Sequence, residues 1–228
     1  MINSQKVGAV IVAAGRGERM GDIDKMFALL GGKPLLAQTV GVFEASPLID
    51  QVVIVLGEHN IERGKKLLAD EGWSKVTDVC AGGKRRQDSV AAGLERLKDC
   101  RWVVIHDGAR PLVTADLISA GLEAAKESGA AVCAVPVRDT VKMAGDDGFV
   151  IGTPPRQKLW TVQTPQVFRS DIITDAYRQT AFEATDDASL VERAGGRVRL
   201  YRGSYGNIKI TTPEDLALAG VLWQKRGD

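Results

Sequence analysis

Hydrophobic positions along the chain fall into short apolar runs that alternate with segments of helical spacing. The apolar runs predict strands over residues 7–13, 51–56, 76–80, 102–106 and 130–135. The helical spacing predicts helices near residues 34–45, 60–71, 86–98 and 114–128. Runs such as "WVVIH" are apolar throughout, as expected of strands that helices cover on both faces. The pattern therefore predicts an α/β fold built on a mostly parallel twisted sheet with helices on both faces.

The alternation breaks between residues 138 and 164. Two short strand-like runs flank the turn signal "GDDG", which predicts a protruding β-hairpin arm with few core-type residues. An isolated hairpin is marginally stable in water, so the arm is expected to pack against another surface, for which a second subunit is a candidate. Helices near 170–182 and 186–194, a strand at 197–202 and a helix from 213 follow. No linker or repeat divides the chain, so residues 1–228 are expected to form a single domain.

Composition excludes several classes of protein. The chain has 228 residues and a formal net charge of +1, whereas nucleic-acid binders usually carry a clear basic excess. Its 3 cysteines are scattered without CxxC or CxxH spacing, which predicts reduced thiols rather than a disulfide frame or a zinc site. No apolar run approaches the roughly 20 residues of a membrane span, and no signal peptide precedes the first strand. The sequence therefore predicts a cytoplasmic protein without nucleic-acid or membrane partners.

The loop after the first strand, in "AVIVAAGRGERMGDIDKMF", does not fit the common nucleotide-binding motifs. Gly15 and Gly17 match the dinucleotide fingerprint GxGxxG, but its third glycine position is occupied by Met20. The chain also lacks a GxxxxGK[ST] phosphate loop and a GxSxG serine elbow. A nucleotide would therefore be bound by a longer loop than either motif provides.

Cations and glycines follow several of the predicted strands. Ligands of open parallel sheets bind outside the carboxyl ends of the strands, so residues that follow the strands are expected to lie close together. These positions include Arg16, Arg19, Lys25, the stretch "AGGKRRQDS", Arg138, Thr140, Arg156 and Lys209. A bound polyphosphate explains this set of positions better than another partner, although each cation alone is compatible with a solvated loop. The cations of "KRR" would oppose the dipole of the helix that follows unless an anion is nearby.

Three further side chains, each beside a strand end or a helix start, allow both a functional and a structural interpretation. Asp107 follows an apolar strand, where a carboxylate often holds Mg²⁺ against phosphates, but an aspartate that caps a turn is equally compatible. His59 and His106 are the chain's 2 histidines, and both are expected to be structural rather than catalytic.

Seven motifs together resemble one known family. They are "AAGRGERM" with the following Lys25, "GGKRRQDSV", "HDGARP", "PVRDT", "TPQVF", "TDDAS" and "NIKITTPEDL", and the resemblance covers nearly the whole chain in the same order. The family is that of the 2-C-methyl-D-erythritol 4-phosphate cytidylyltransferases, and the first motif alone would indicate only a nucleotidyltransferase. The resemblance implies a Rossmann-like nucleotidyltransferase that joins CTP to methylerythritol phosphate in non-mevalonate isoprenoid biosynthesis, releasing pyrophosphate.

The resemblance also implies roles for individual residues. Arg19 and Lys25 would be transition-state cations, and Arg156 and Lys209 would aim the acceptor phosphate. The CTP-binding residues would be Ala13, Ala14, Gly15, Gly17, Gly83, Ser89 and Asp107. The residues around methylerythritol phosphate would be Asp107, Arg110, Thr140, Arg156, Thr185 and Lys209.

The resemblance implies Mg²⁺ or another divalent cation as cofactor, with Asp107 as a candidate ligand. It also implies a homodimer in which each arm brings Thr140 and Arg156 to the other subunit's site. One departure concerns the lysine of the loop: the family usually reads "PKQ" there, whereas this chain reads "DKM" and its loop is slightly shorter.

The expected chemistry agrees with the shortage of histidine. A phosphate monoester has a second pKa near ~6, so the acceptor is largely dianionic at pH 7 and needs no general base. Two other functions stay open: transfer to another polyol phosphate such as ribitol 5-phosphate, and nucleotide binding without catalysis. The arginine of "HDGARP" follows alanine, whereas the ribitol relatives tend to carry valine there, and the acceptor-side cations count against a non-catalytic module.

Overall fold

The computed structural model describes residues 5–15, 24–179 and 184–225. Its strands are β1 (Val7–Ala13), β2 (Leu29–Leu30), β3 (Lys33–Pro34), β4 (Gln51–Leu56), β5 (Val76–Ala81), β6 (Trp102–Asp107), β7 (Ala130–Pro136), β8 (Met143–Ala144), β9 (Val150–Gly152), β10 (Trp160–Arg169) and β11 (Arg199–Arg202). Its helices are α1 (Leu35–Ala45), α2 (Ile61–Glu71), α3 (Arg86–Leu94), α4 (Ala115–Ser128), α5 (Ser170–Gln179), α6 (Asp187–Arg193) and α7 (Pro213–Gln224). No helix in these ranges is both long and apolar enough to cross a membrane.

The described residues form a seven-stranded central sheet in the order β11-β7-β10-β6-β1-β4-β5. Strand β1 pairs in parallel with β4 and β6, β4 pairs in parallel with β5, and β7 pairs in parallel with β11. Only β10 runs antiparallel to its two neighbours among these strands. The predicted mostly parallel sheet is therefore confirmed, with one strand that the hydrophobic pattern did not predict.

Strand β10 was missed because polar residues and a proline interrupt its apolar pattern. The prediction placed residues 160–164 in the arm and gave 165–169 no element, whereas the structure inserts all ten residues between β6 and β7. Its ladder with β7 shifts register between Val162 and Gln166, and Pro165 lies within that irregular segment. A proline is tolerated in a central strand at such a bulge, where a ladder hydrogen bond is already missing.

The core lies on both faces of the sheet, because neighbouring residues of each strand point to opposite sides. On one face, Ile11 and Ile54 belong to a buried cluster with residues of α1, α4 and α7. On the other, Val10 and Val53 pack with residues of α3, α5 and α6. The predicted helices on both faces are confirmed. Helix α3 is shorter than predicted and ends at Leu94 instead of residue 98, because i→i+3 bonds such as Leu97 N to Leu94 O tighten the chain there.

The hairpin within the predicted arm is short. Strands β8 and β9 pair around a turn in which Gly148 has a φ of 81°, a left-handed conformation that favours glycine. The large apolar side chains of the hairpin do not enter the core of the described chain, and Phe149 and Ile151 are 74% and 67% exposed. These side chains form an apolar surface on the arm that the rest of the described chain does not cover.

Candidate active site

Two adjoining cavities open at the edge of the sheet where β1 and β6 end. The first, of about 180 Å³, lies between the end of β1, the start of α3 and Lys25. The second, of about 340 Å³, lies between the bulge of β10, Arg110 and the chain leading into α6. Both are lined by Arg86, Asp107 and Lys209, so these three side chains form a shared wall.

The first cavity brings together most of the residues expected to bind CTP. It is lined by Ala13, Ala14, Gly15, Lys25, Gly83, Ser89 and Asp107. The one remaining residue expected to bind CTP, Gly17, lies outside the described residues, as do the expected transition-state cation Arg19 and the neighbouring Arg16.

The wall of the first cavity opposite β1 is a tight turn into α3. Ser89 Oγ accepts a hydrogen bond from Gly83 N (3.2 Å) and donates to Arg85 O (3.2 Å). A Cβ atom at Gly83 would lie only 2.3 Å from Asp88 Cβ, so a larger residue would displace this turn. The packing of this turn against Asp88 therefore requires glycine at position 83.

Asp107, at the end of β6, is a buried carboxylate surrounded by three cations. Its Oδ2 lies 3.0 Å from Lys209 Nζ and 3.4 Å from Arg110 Nε, and its Oδ1 lies 3.4 Å from Arg86 Nε. Burial alone would raise the pKa of Asp107, but Arg86, Lys209 and Arg110 outweigh burial and hold that pKa well below its ordinary value. Asp107 is therefore ionised at neutral pH and orients the three cations.

Arg86 lines both cavities, and the sequence pattern assigned no role to it. Its Nη1 lies 2.8 Å from Oδ2 of Asp187, which is 1% exposed and whose Oδ1 accepts a hydrogen bond from Tyr177 Oη (2.6 Å). Burial would lower the pKa of Arg86, but Asp187 and Asp107 raise it above its ordinary value. The two carboxylates supply the anions that a cation at the start of α3 requires. Both motifs involved, "GGKRRQDSV" and "TDDAS", were noticed in the sequence, but only the fold shows that they meet.

The second cavity is lined by four of the residues that the resemblance places around the acceptor, namely Asp107, Arg110, Thr185 and Lys209. Arg110 Nη1 donates to Asn207 O (2.8 Å), which connects it to the segment that carries Lys209. Gln163, Thr164 and Gln166 of β10 also line this cavity and were not predicted. Gln166 Nε2 donates to Asp186 Oδ2 (2.9 Å), so the bulge of β10 holds the chain that enters α6.

Thr140 and Arg156 lie on the arm and line neither cavity. Both are exposed, and Arg156 Nη1 donates to the backbone oxygen of Arg138 (2.6 Å). The structure of one chain therefore does not bring these two expected site residues together with the others.

The side chains of the described residues do not form a preformed metal centre. No group of three or more histidine, cysteine, aspartate or glutamate residues is placed to hold an ion in the described ranges. Asp107, the candidate ligand, has both carboxylate oxygens directed at cations. These oxygens do not fit a resident metal ion.

His106 supports the cavity wall from behind. Its ring is fully buried, lies 5.1 Å from the ring of Phe43, and its Nε2 is 3.1 Å from the backbone oxygen of Arg110. Burial lowers the pKa of His106 to about 4. The imidazole is therefore neutral at pH 7 with Nε2 as the donor, which agrees with the expected structural role.

Comparisons with known proteins agree with this geometry. Residues 7–225 match the family model described as IspD, 2-C-methyl-D-erythritol 4-phosphate cytidylyltransferase. The chain belongs to this family. It is 56% identical to the 2-C-methyl-D-erythritol 4-phosphate cytidylyltransferase of Dehalococcoides mccartyi over 225 residues, 99% of each chain. It is 46% identical to the enzyme of that name from Alkaliphilus oremlandii over 232 residues, 99% of this chain and 98% of the other.

A solved structure shows the same fold. The crystal structure of 4-diphosphocytidyl-2C-methyl-D-erythritol synthase from Anaerococcus prevotii superposes with a TM-score of 0.86 at 30% identity, covering 96% of this chain and 99% of that one. The resemblance found in the motifs, the α/β nucleotidyltransferase fold and the assignment to an enzyme family are confirmed. The cytidylyltransferase family name also agrees with two cavities that meet at one cationic wall.

Proposed function

We propose that this protein transfers the cytidylyl group of CTP to 2-C-methyl-D-erythritol 4-phosphate, giving 4-diphosphocytidyl-2-C-methyl-D-erythritol and pyrophosphate in non-mevalonate isoprenoid precursor biosynthesis. The observation that carries the proposal is the wall of Arg86, Asp107 and Lys209 shared by the two cavities. A nucleotide in the first cavity and a phosphate monoester in the second would meet at this wall, where a bond between their phosphates must form.

The chemistry requires charge stabilisation rather than proton removal. An oxygen of the dianionic acceptor phosphate bonds to the α-phosphorus of CTP, and the bond from that phosphorus to the bridging oxygen of pyrophosphate breaks. Lys25 faces the first cavity and Lys209 lines both, so they can place positive charge on the pentacoordinate phosphorus and the leaving group. A preorganised donor of this kind is worth about 3–4 kcal/mol in the transition state. Arg19 is proposed to act with them.

The three cations around Asp107 are held by different contacts in this scheme. Asp107 holds Lys209 and Arg110 at 3.0 and 3.4 Å, which limits the positions that the acceptor phosphate can take. The ion pair with Asp187 fixes the position of Arg86, so Arg86 would not move with the departing pyrophosphate. The proposed role of Lys209 is to aim the acceptor phosphate, and that of Arg110 and Thr185 is to bind the polyol.

We further propose Mg²⁺, or another divalent cation, as cofactor. Since the side chains do not form a metal centre, the ion would enter with the triphosphate, because Mg²⁺ binds substrate phosphates with few protein ligands. No step of the scheme depends on a protein-bound ion.

The proposed assembly is a homodimer with exchanged arms, which is supported by the positions of Thr140 and Arg156. Both lie on the arm outside the chain's own cavities, and the arm exposes an apolar surface. In a dimer, each arm would reach the second cavity of the other subunit, where Arg156 would help to aim the acceptor phosphate.

The proposed location is the cytoplasm, where CTP is available and the 3 cysteines would remain reduced.

The function is tested by measuring pyrophosphate release from CTP with 2-C-methyl-D-erythritol 4-phosphate, ribitol 5-phosphate or no acceptor. We expect release with the first acceptor only, and we expect excess chelator to abolish it and added Mg²⁺ to restore it. Faster release with ribitol 5-phosphate would reassign the acceptor. Tight CTP binding without release for either acceptor would indicate a nucleotide-binding module. Full turnover in chelator would remove the divalent cation from the scheme.

A further inference from the structure

An arginine on α2 contacts both ends of the turn that carries Lys25. Residues Lys25–Phe27 form a single 3-10 turn, which begins after Asp24. Arg63 Nη1 lies 2.8 Å from Asp24 Oδ2, and the guanidinium carbon of Arg63 lies 3.8 Å from the centroid of the Phe27 ring. Arg63 of α2 therefore contacts one residue before Lys25, Asp24, and one residue after it, Phe27.

We propose that Arg63 is a positioning residue for Lys25, and that the pair Asp24–Arg63 with the Phe27 ring acts as a clamp on the turn. The inference rests on the proposed function, since it assumes that Lys25 acts on the triphosphate. It assigns a role to a side chain that lines neither cavity.

The backbone of Asp24 shows why the turn needs such a clamp. Its φ is −68°, close to the value that a proline ring imposes, and its carbonyl accepts hydrogen bonds from Phe27 N (3.0 Å) and Ala28 N (3.1 Å). The resemblance expects proline at this position, but aspartate has no ring to restrain φ. The side chain of Asp24 supplies a different restraint, because its ion pair with Arg63 joins the start of the turn to α2.

The middle and the end of the turn are held by contacts of other kinds. Met26 is 3% exposed and belongs to the buried core, and it also lines the floor of the first cavity, so core packing fixes the middle of the turn. At the end of the turn, the guanidinium of Arg63 lies over the Phe27 ring and is attracted by the negative face of that ring. Because the guanidinium is planar, it can lie flat against the ring. With Met26 packed in the core and Arg63 on the outside, the backbone of Lys25 is held on two sides, and its side chain lines the first cavity.

The clamp predicts that its two charged members act in the same direction. We expect Arg63→Ala and Asp24→Asn each to lower kcat by about 3- to 10-fold, with a smaller effect on the KM for CTP and no change in Tm beyond a few degrees. A purely electrostatic influence on the triphosphate predicts opposite changes in that KM, because one substitution removes a cation and the other removes an anion. Opposite changes, or an unchanged kcat in both variants, would overturn the proposal.

A matched control lies on the same helix. Lys65 pairs with Glu62 at 2.8 Å and is similarly exposed, but this ion pair does not involve the turn. Lys65→Ala removes a cation from α2 as Arg63→Ala does, and it should leave kcat unchanged. A loss of kcat in Lys65→Ala equal to that in Arg63→Ala would mean that general charge on α2 matters rather than the clamp.

Proline provides a rescue experiment. The φ of Asp24 is compatible with a proline ring, so Asp24→Pro should restrain the turn without the ion pair. We therefore expect Arg63→Ala to lower kcat by less than about twofold when it is combined with Asp24→Pro. If Arg63→Ala costs as much in the proline background as in the wild type, restraint of the turn is not what Arg63 provides.

Hydrogen exchange measured without substrate tests the clamp independently of the proposed function. The amides of Phe27 and Ala28 are bonded to the Asp24 carbonyl, so loss of the clamp should raise their exchange rates by about 10-fold in the absence of any substrate. Faster exchange in Arg63→Ala together with an inactive wild type would retain the clamp and reject the function. An active wild type with unchanged exchange and kcat in Arg63→Ala would reject the clamp alone.

Discussion

Asp107 and His106 are neighbours in β6, yet the fold places them in opposite environments. Asp107 faces three cations and keeps its charge, while His106 faces Phe43 and the Arg110 carbonyl and has lost its charge. The difference follows from strand geometry, because successive side chains point to opposite faces of a sheet. The end of β6 thus supplies one ionised group to the site and one neutral group to its support.

This arrangement predicts how stability depends on pH. His106 has a folded-state pKa of about 4, below the ordinary value near 6.5, so the unfolded chain takes up a proton between these values and the folded chain does not. The free energy of unfolding should therefore be insensitive to His106 above about pH 6.5 and fall by on the order of 3 kcal/mol as the pH drops towards 4. Urea unfolding at several pH values measures this dependence.

The control for this prediction is His106→Gln, which can donate to the Arg110 carbonyl without titrating. The variant is expected to be less stable at pH 7 but to lose the slope between pH 6.5 and 4. An equally steep slope in His106→Gln would assign the dependence to other groups. His59, for which the sequence also predicted a structural role, lies on the exposed surface.

The regular helices and parallel strands could be predicted from the sequence because each repeats a hydrophobic period over several residues. Strand β10 could not, since Gln163, Thr164 and Pro165 break its period at the bulge. Gln163 and Thr164 are polar because this segment lines the second cavity, and Gln163 also donates a hydrogen bond to the chain after β11. Likewise, the resemblance of the motifs predicted Ala13, Ala14 and Gly15 as nucleotide-binding residues, whereas the partnership of Arg86 with Asp187 depends on how α3 and α6 pack.

The arm predicts an effect on assembly. Phe149 and Ile151 are large apolar side chains that remain 74% and 67% exposed, as expected of a surface that another molecule covers. The combined substitution Phe149→Asp and Ile151→Asp should convert the proposed dimer to a folded monomer, which sedimentation and circular dichroism can measure. Val221→Asp, at a residue of α7 that is 53% exposed, is the control and should leave the dimer intact. A double variant that remains dimeric would exclude the arm as the interface.

At the scale of the whole molecule, the residues expected around the acceptor lie in two separate places. Asp107, Arg110, Thr185 and Lys209 surround the second cavity, while Thr140 and Arg156 lie on the exposed arm. One chain therefore contains the parts of a site but does not assemble all of them. A two-fold arrangement of two chains would complete both sites with the same contact made twice.

Mixing two inactive variants tests this division. Lys25→Ala should lower kcat by at least ~100-fold through loss of a transition-state cation, and Arg156→Ala homodimers should also be nearly inactive. If the arms are exchanged, a mixed dimer has one site with both defects and one with neither. After co-refolding, about half of the dimers are mixed, so activity should rise to roughly a quarter of the wild-type value. Mixed dimers that form, as judged by mass spectrometry of tagged subunits, but remain inactive would place Arg156 in its own chain's site.

The wall of Arg86, Asp107 and Lys209 that separates the two cavities also has a thermodynamic consequence. A ligand in either cavity competes with Asp107 for the same cations, so its binding changes the charge that the other ligand meets. Such cooperativity is reciprocal: whatever factor CTP applies to the affinity for the acceptor, the acceptor must apply to the affinity for CTP. Two anions that share one set of cations are thus linked in their binding before any bond between them forms.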